Sequence, residues 1–389
     1  MNTVIPYGRQ EISQADIDAV IAVLQSDFIT QGPSVPAFEQ AVAGYCGAEH
    51  AVAVNSATSA LHIACRALGV GTGDMVWTTP VTFVASANCA LYCGAQVDFV
   101  DIDPFTCNMS VDRLAEKLSD AAKSGTLPKV VIPVHFSGQP CDMERIWALG
   151  RQYGFRIIED ASHAIGGRYK DEPIGRCRYS DITVFSFHPV KIITTGEGGM
   201  ALTNDGMLAK QMQRLRSHGI TRDEADMTCA SEGPWYYQQI ELGYNYRMTD
   251  IQAALGLSQL QRLDEFVERR HELASRYDQL LAGLPVHLPS RHPDCYSGMH
   301  LYVIRLRLQR IEKTHLQVFQ SLRERKIGVN LHYIPVYLQP YYRALGFSDG
   351  YCVEAEKYYL QAISIPIYFG LSDAQQDYIV TNLKDILLG

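Results

Sequence analysis

The feature that most constrains this chain is a series of short apolar segments, each followed by a helix-like stretch, across its first two-thirds. Residues 51–54 (AVAV) end at Asn55-Ser56-Ala57-Thr58, after which Leu61, Ala64, Cys65 and Leu68 recur at helical spacing. Strand-like segments return at 75–78 (MVWT), QVDFVDID, 129–136 (KVVIPVHF), 155–160 (FRIIED), 182–187 (ITVFSF) and 199–203 (GMALT). Between them TFVASANCALYCG reads as a buried helix and MERIWALGRQYG as an amphipathic one. Such alternation implies parallel strands, with each helix crossing over a sheet face. The pattern predicts an α/β fold with a mostly parallel central sheet flanked by helices. Ligands of such sheets sit where strands end and helices begin.

Near residue 250 the character changes. DIQAALGLSQLQRLDEFVERRHELASRYDQLLAGL reads as one long helix, with Leu263, Phe266, Val267, Ala274, Tyr277 and Leu281 on one face and Gly283 and Pro285 as its stop. A strand (LYVIRLRL), a helix (HLQVFQSLRERKIG), a strand-like GVNLHYIP and a closing helix (SDAQQDYIVTNLKDILL) follow. This predicts a large unit over 1–255, including the N-terminal segment, and a smaller α+β unit over 256–389. The boundary helix covers about 250–283. With 389 residues, 47% apolar and 20% charged, the chain can build both cores.

A net charge of -8 and a pI near 5.8 give no general attraction for nucleic acid or an anionic membrane. An anionic ligand must therefore be held by a local constellation. The ten cysteines form no CxxC pair. The nearest two, Cys89 and Cys93, lie in an apolar stretch, which favours buried reduced thiols over a metal site. The N-terminus carries Arg9, Glu11 and Asp16 early, without a signal-peptide core, and no run is long enough to span a bilayer. A soluble, cytoplasmic protein is expected.

Three local signals carry chemistry. In SFHPVK, Lys191 leaves an apolar strand and enters a Gly-rich loop, TTGEGG. Partial desolvation there would lower its pKa and make it a nucleophile toward carbonyls; taken alone, a solvated loop lysine is the better reading. Asp160 ends the apolar strand FRIIED, where a carboxylate pairs with a pyridinium nitrogen or simply caps the next helix. Asn55-Ser56-Ala57-Thr58 opens a helix with small residues whose backbone N–H groups can meet a phosphate, though an ordinary capped helix start looks the same. No Walker lysine follows. Taken together, they supply the three fixed points that pyridoxal phosphate needs: phosphate, ring nitrogen and aldehyde.

With these motifs in view, the chain resembles the DegT/DnrJ/EryC1 sugar aminotransferases of the fold-type I pyridoxal-phosphate class. The resemblance covers nearly its whole length, through NSATSALHIA, TTPVTFVASANC, IIEDASHAIG, SFHPVKIITTGEGG, LGYNYRMTDIQAALG and LHYIP. The opening segment, through ITQGP, is most similar to the branch that makes 4-amino-4,6-dideoxy sugars for pseudaminic acid. The resemblance implies Lys191 as the lysine that carries the cofactor and Asp160 as partner of its ring nitrogen. Ser186 and the backbone of Ala57 and Thr58 would hold the phosphate, and Phe83 would stack on the ring. His163 stands where relatives often have Gln. Asn245 would reach the phosphate of a neighbouring subunit, implying a homodimer with shared sites. Otherwise Phe83 is a core aromatic, Asn245 a turn residue and Arg247 a structural ion-pair member.

Tyr7, Thr30, Gln31, His332 and Tyr333 match segments that line the sugar-nucleotide pocket in relatives. The implied reaction moves an amino group from L-glutamate to C4 of a UDP-linked 4-keto-6-deoxy-N-acetylhexosamine. Alternatives are a 3-keto or a dTDP- or GDP-linked acceptor, or a regulator that binds the cofactor without turnover. Family members that dehydrate sugars carry histidine in place of the lysine, so Lys191 argues against a lyase.

Overall fold

The computed structural model describes residues 4–389. Seven strands form the central sheet: β1 (His50–Val54), β2 (Met75–Thr78), β3 (Gln96–Phe99), β4 (Val130–Ile132), β5 (Arg156–Asp160), β6 (Ile182–Ser186) and β7 (Gly199–Thr203). Their order is β1-β7-β6-β5-β4-β2-β3. All neighbours pair parallel except those of β7, which runs antiparallel to both β6 and β1. The helix-free connection between β6 and β7 explains the exception. It is a loop across one end of the sheet, too short for a crossover.

Strand residues alternate between two cores, as a sheet covered on both faces requires. Val52, Val54, Ile158, Ile182 and Val184 pack on one face. Ala51, Ala53, Ile157, Phe185 and Met200 pack on the other. Helix α1 (Gln14–Leu24) opens with a capping box built from Ser13 and Asp16, and α2 (Ser34–Cys46) closes on Gly47 in the left-handed conformation. Helices α3 (Ala57–Ala67) and α4 (Ala85–Tyr92) contribute Leu61, Ile63, Ala64, Ala87 and Ala90 to the first core.

The stretch expected as one helix is two: α5 (Asp250–Leu260) and α6 (Leu263–Leu280). Arg262 leaves helical geometry at φ -111° and ψ 10°, and its guanidinium lies over the rings of Phe266 and Phe369. Neither Gly nor Pro marks the break, so the periodicity runs through it. Helix α6 changes cores along its length. Leu263, Phe266 and Val267 join the sheet core, whereas Leu273, Ala274 and Tyr277 join a third core with β8 (Val286–His287), β9 (Tyr302–Leu306) and β10 (Ala362–Ile365).

Two further expectations change. GVNLHYIP is not a strand; Asn330 makes an isolated bridge to Ser364, exchanging backbone hydrogen bonds at 3.2 and 2.8 Å, and Gly328 N donates to Ile5 O at 2.7 Å. The segment instead lines a cavity with side chains. The N-terminal segment, expected with the large unit, sets its first described residues against the small one. Ile5 joins the third core and bridges to residue 327, and Tyr7 O accepts from Ile367 N at 3.1 Å.

Candidate active site

Strands β1, β5 and β6 end, and β7 begins, at one edge of the sheet. A cavity of about 920 Å³ opens there, closed on its far side by Tyr7 and the 330–333 segment. Lys191 lies in the β6–β7 loop, which is cross-linked. Phe187 N donates to Gly198 O at 2.9 Å, Thr194 Oγ1 to Phe187 O at 2.9 Å, and Gln252 Nε2 to Glu197 O at 2.8 Å. The Lys191 amine lines the cavity, and burial pushes its pKa down to about 8 against the opposing pull of Asp160. Near neutral pH a much larger share of this amine is unprotonated than in a solvated lysine.

Asp160, the last residue of β5, is 4% exposed. Its Oδ1 accepts from Ser162 N at 3.1 Å and Ser162 Oγ at 2.6 Å, while Oδ2 accepts from Ser86 Oγ at 2.6 Å. Ser86 Oγ also meets Thr82 Oγ1 at 2.7 Å. These donors fix the direction of the carboxylate. The contact to Ser162 N closes a turn rather than capping a helix, since no helix follows β5 before residue 168.

The first turn of α3 forms the opposite wall. Ser56 caps it, accepting from Ser59 N at 3.1 Å, and Ala57 and Thr58 line the cavity with N–H groups that no helix start satisfies internally. Gly199 packs against this turn. A Cβ there would overlap Ala57 N and come within 2.5 Å of the Ser56 carbonyl carbon. Ser186, at the end of β6, also lines the cavity. Phe83 presents a face that is 59% exposed at its rim, so it is not a core aromatic.

Three buried histidines, His163, His300 and His332, share this end of the cavity. His163 Nε2 lies 3.2 Å from Tyr333 Oη, and its ring centroid is 4.4 Å from that of His300. The Nδ1 atoms of both are buried without a hydrogen-bond partner among the described residues. His332 Nε2 accepts from Asn330 Nδ2 at 3.3 Å, which leaves Nδ1 to donate to Ser364 Oγ at 2.8 Å. Burial, then the Lys191 charge, pushes His332 down to about 3. The same two causes, with His332 added, push His163 well below its usual range. Burial, then the Asp160 charge, raises the Tyr333 hydroxyl.

The cavity thus gathers Tyr7, Ala57, Thr58, Phe83, Asp160, His163, Ser186, Lys191, His332 and Tyr333. Thr30, Gln31 and Asn245 lie outside it, on the exposed surface of the chain. Arg247 donates to Ser217 Oγ at 3.0 Å rather than to a carboxylate. Sequence reasoning missed Ser86, His300 and Asn330. Ser86 sits in the first turn of α4 just after Phe83, but no local pattern marked it, His300 or Asn330. Among the described residues, no group of three or more His, Cys, Asp or Glu is placed to hold a metal ion. Nor is any helix long and apolar enough to cross a membrane.

The model of the DegT/DnrJ/EryC1/StrS aminotransferase family matches residues 10–384. The chain belongs to this family. It is 38% identical to the spore coat polysaccharide biosynthesis protein SpsC of Bacillus subtilis, over 100% of this chain and 98% of that one. It is 37% identical to the UDP-4-amino-4,6-dideoxy-N-acetyl-beta-L-altrosamine transaminase of Campylobacter jejuni strain 81-176, over 98% of this chain and 97% of that one. The fold superposes on PseC of Helicobacter pylori, an aminotransferase of pseudoaminic acid biosynthesis, with a TM-score of 0.90 at 29% identity, covering 99% and 100% of the two chains. A putative sugar aminotransferase of Streptococcus pneumoniae, Spr1654, superposes in its PMP form with a TM-score of 0.89 at 32% identity, covering 98% of each. The protein is a fold-type I, pyridoxal-phosphate-dependent sugar aminotransferase. The cavity fits that cofactor chemically: it offers a lysine of lowered pKa, an anchored carboxylate, a helix N-terminus and an unpartnered imidazole nitrogen on His163.

Proposed function

We propose that this aminotransferase moves the amino group of L-glutamate to C4 of a UDP-linked 4-keto-6-deoxy-N-acetylhexosamine, in the making of pseudaminic acid or a related amino sugar. The observation that carries the reading is the full-length similarity to a transaminase named for a UDP-4-amino-4,6-dideoxy sugar. The cavity, at about 920 Å³, has room for a cofactor and a sugar together.

Bound pyridoxal phosphate supplies the aldehyde for amine exchange and a ring that takes up negative charge. Lys191 Nζ would hold the cofactor and, when free, would move a proton from the donor Cα. Asp160, directed by Ser86 and Ser162, would hold a positive charge on the ring nitrogen. Ser186 and the N–H groups of Ala57 and Thr58 would hold the phosphate, helped by the α3 dipole. Phe83 would pack against the ring. His163 offers a hydrogen bond to the ring from a neutral imidazole. Tyr7, His332 and Tyr333 meet the sugar. Neutral His332 therefore aligns by hydrogen bonding rather than by charge.

A homodimer with shared sites is part of this reading. Thr30 bridges to Thr249, so the 28–31 segment lies beside GYNYRM on the outer surface. Around it Ile17, Ile21, Leu24, Phe28 and Ile29 are all more than 40% exposed, a patch that a second copy would cover. Thr30, Gln31 and Asn245 would then complete the partner's site. A cytoplasmic location is also part of the reading, since nucleotide-linked sugars and glutamate are met there.

The test uses the two half-reactions separately. Glutamate should convert the bound cofactor to its amine form, with loss of its visible absorbance. A panel of 4-keto and 3-keto sugar nucleotides should then restore it, with the UDP-linked 4-keto-6-deoxy-N-acetylhexosamine the best acceptor. A dTDP-linked or 3-keto acceptor reacting faster would overturn the substrate assignment and leave the family function standing.

A further inference from the structure

We propose that the C-terminal unit carries a second ligand site, separate from the catalytic cavity, that binds a nucleotide through its phosphates. A cavity of about 320 Å³ lies between the end of α6, the β8–β9 pair and Phe105, and it shares no lining residue with the catalytic one. Along β9 and beyond, Arg305 and Arg307 share one face, as residues two apart on an extended chain do. His287, the register partner of Arg305 on β8, joins them, and Arg310 closes the rim.

Like charges gathered this closely repel. In a chain of net charge -8 a carboxylate partner for each would be easy to supply. Yet none of the three arginines has a carboxylate within 4.0 Å among the described residues. Nearby acids are engaged elsewhere. Asp278 pairs with Arg291 at 2.7 Å, and Asp103 accepts from the Phe105 and Thr106 N–H groups and from Thr106 Oγ1. Arg307 Nε is buried with no hydrogen-bond partner among the described residues. Burial and the charges of Arg307 and Arg305 also hold His287 below its usual pKa, so the unbalanced positive potential is felt locally.

These donors suit a phosphate, whose oxygens accept from a guanidinium fork. The aromatic ring sets the rest of the ligand. Arg305 Nη1 donates to Pro104 O at 2.6 Å and so fixes the loop that presents Phe105, whose side chain is 71% exposed beside the cavity. An exposed aromatic face next to a phosphate subsite matches a nucleobase. The class is a nucleoside diphosphate.

The holoenzyme, titrated calorimetrically with UDP, should bind one more UDP per chain than the Arg307→Ala/Arg310→Ala variant. The variant's glutamate half-reaction, run in the other cavity, should be unchanged. Phe105→Ala should reduce the second-site affinity for UDP to that for pyrophosphate, and uridine should not bind there. Equal UDP stoichiometry in wild type and double variant overturns the site, whatever the catalytic cavity binds. If the double variant fails to fold, Arg310→Gln on the exposed rim replaces it and should weaken the second site about tenfold. An unchanged affinity in that variant overturns the proposal equally.

Discussion

Replacing Asp160 by Asn keeps the size of the side chain and removes its charge. Ser86 and Ser162 would still offer their hydroxyls, so the fold should hold, with a melting temperature within a few degrees of wild type. Without the carboxylate, a protonated ring nitrogen loses its partner, and turnover of glutamate should fall by about 100-fold or more. Near-normal turnover in Asp160→Asn would remove Asp160 from this role. The histidines make a separate statement about pH. An unfolded histidine takes up its proton near pH 6.5, whereas His332 in the fold does so only near 3. Between these values the unfolded chain binds more protons. Stability from this group is therefore complete above about 6.5 and is lost as pH falls toward 3, by up to about 1.4 kcal/mol per pH unit. Urea unfolding at pH 7, 5 and 4 should show a shallower loss for His332→Asn than for wild type, and equal slopes would mean that His332 does not carry the effect. Asp160 could be read from sequence because it ends an apolar strand, and Lys191 because it follows one into a Gly-rich loop. His300 could not, because nothing in SGMHLYV places it against His163, to which it is brought from 137 positions away by the fold.

At the scale of elements, the loop from β6 to β7 and the first turn of α3 are one device. Gly199 lets the start of β7 lie directly against the Ser56–Ala57 peptide, so that the lysine loop and the first turn of α3 hold each other in place. Gly199→Ala should push the α3 N-terminus out of line. About 1–3 kcal/mol of stability should be lost, and pyridoxal phosphate should bind more weakly in equilibrium dialysis. Gly44→Ala is the control. It lies inside α2 with nothing within 4 Å of an added Cβ, and should stabilise by about 0.5–1 kcal/mol without changing cofactor affinity. If both variants keep wild-type affinity, the close approach at Gly199 is not what shapes the cradle. Most strands were legible because they are buried on both faces and read as short apolar runs; β3, with Gln96 exposed and Asp98 half-buried, shows alternation instead. The break at Arg262 was not legible, because helical periodicity continues across it and a tertiary contact, the guanidinium over two rings, stabilises the departure. GVNLHYIP misled for the opposite reason: its alternation is real, but its side chains face a cavity instead of a neighbouring strand.

At the scale of the molecule, one chain builds most of a site but leaves three residues outside it. Thr30, Gln31 and Asn245 stand on the outer surface, beside an apolar patch on and after α1 that none of the described residues covers. A twofold dimer would bury that patch and bring each chain's GYNYRM segment to its partner's cavity. Single-sequence reasoning can supply such a reach only through family resemblance, because no local pattern tells a turn asparagine from one that points into a second subunit. Two inactive variants then test it together. Lys191→Ala removes the amine from one cavity, and Asn245→Asp places a negative charge where the partner's phosphate would lie. Each homodimer should be inactive. After unfolding and refolding the two in equal amounts, half of the dimers are mixed, and each mixed dimer holds one cavity with both native residues. Activity should return to about a quarter of the wild-type level per site. No recovery, with mixed dimers verified by mass spectrometry, would place Asn245 outside the partner's cavity. A fully active monomer in sedimentation under assay conditions would remove the shared site altogether.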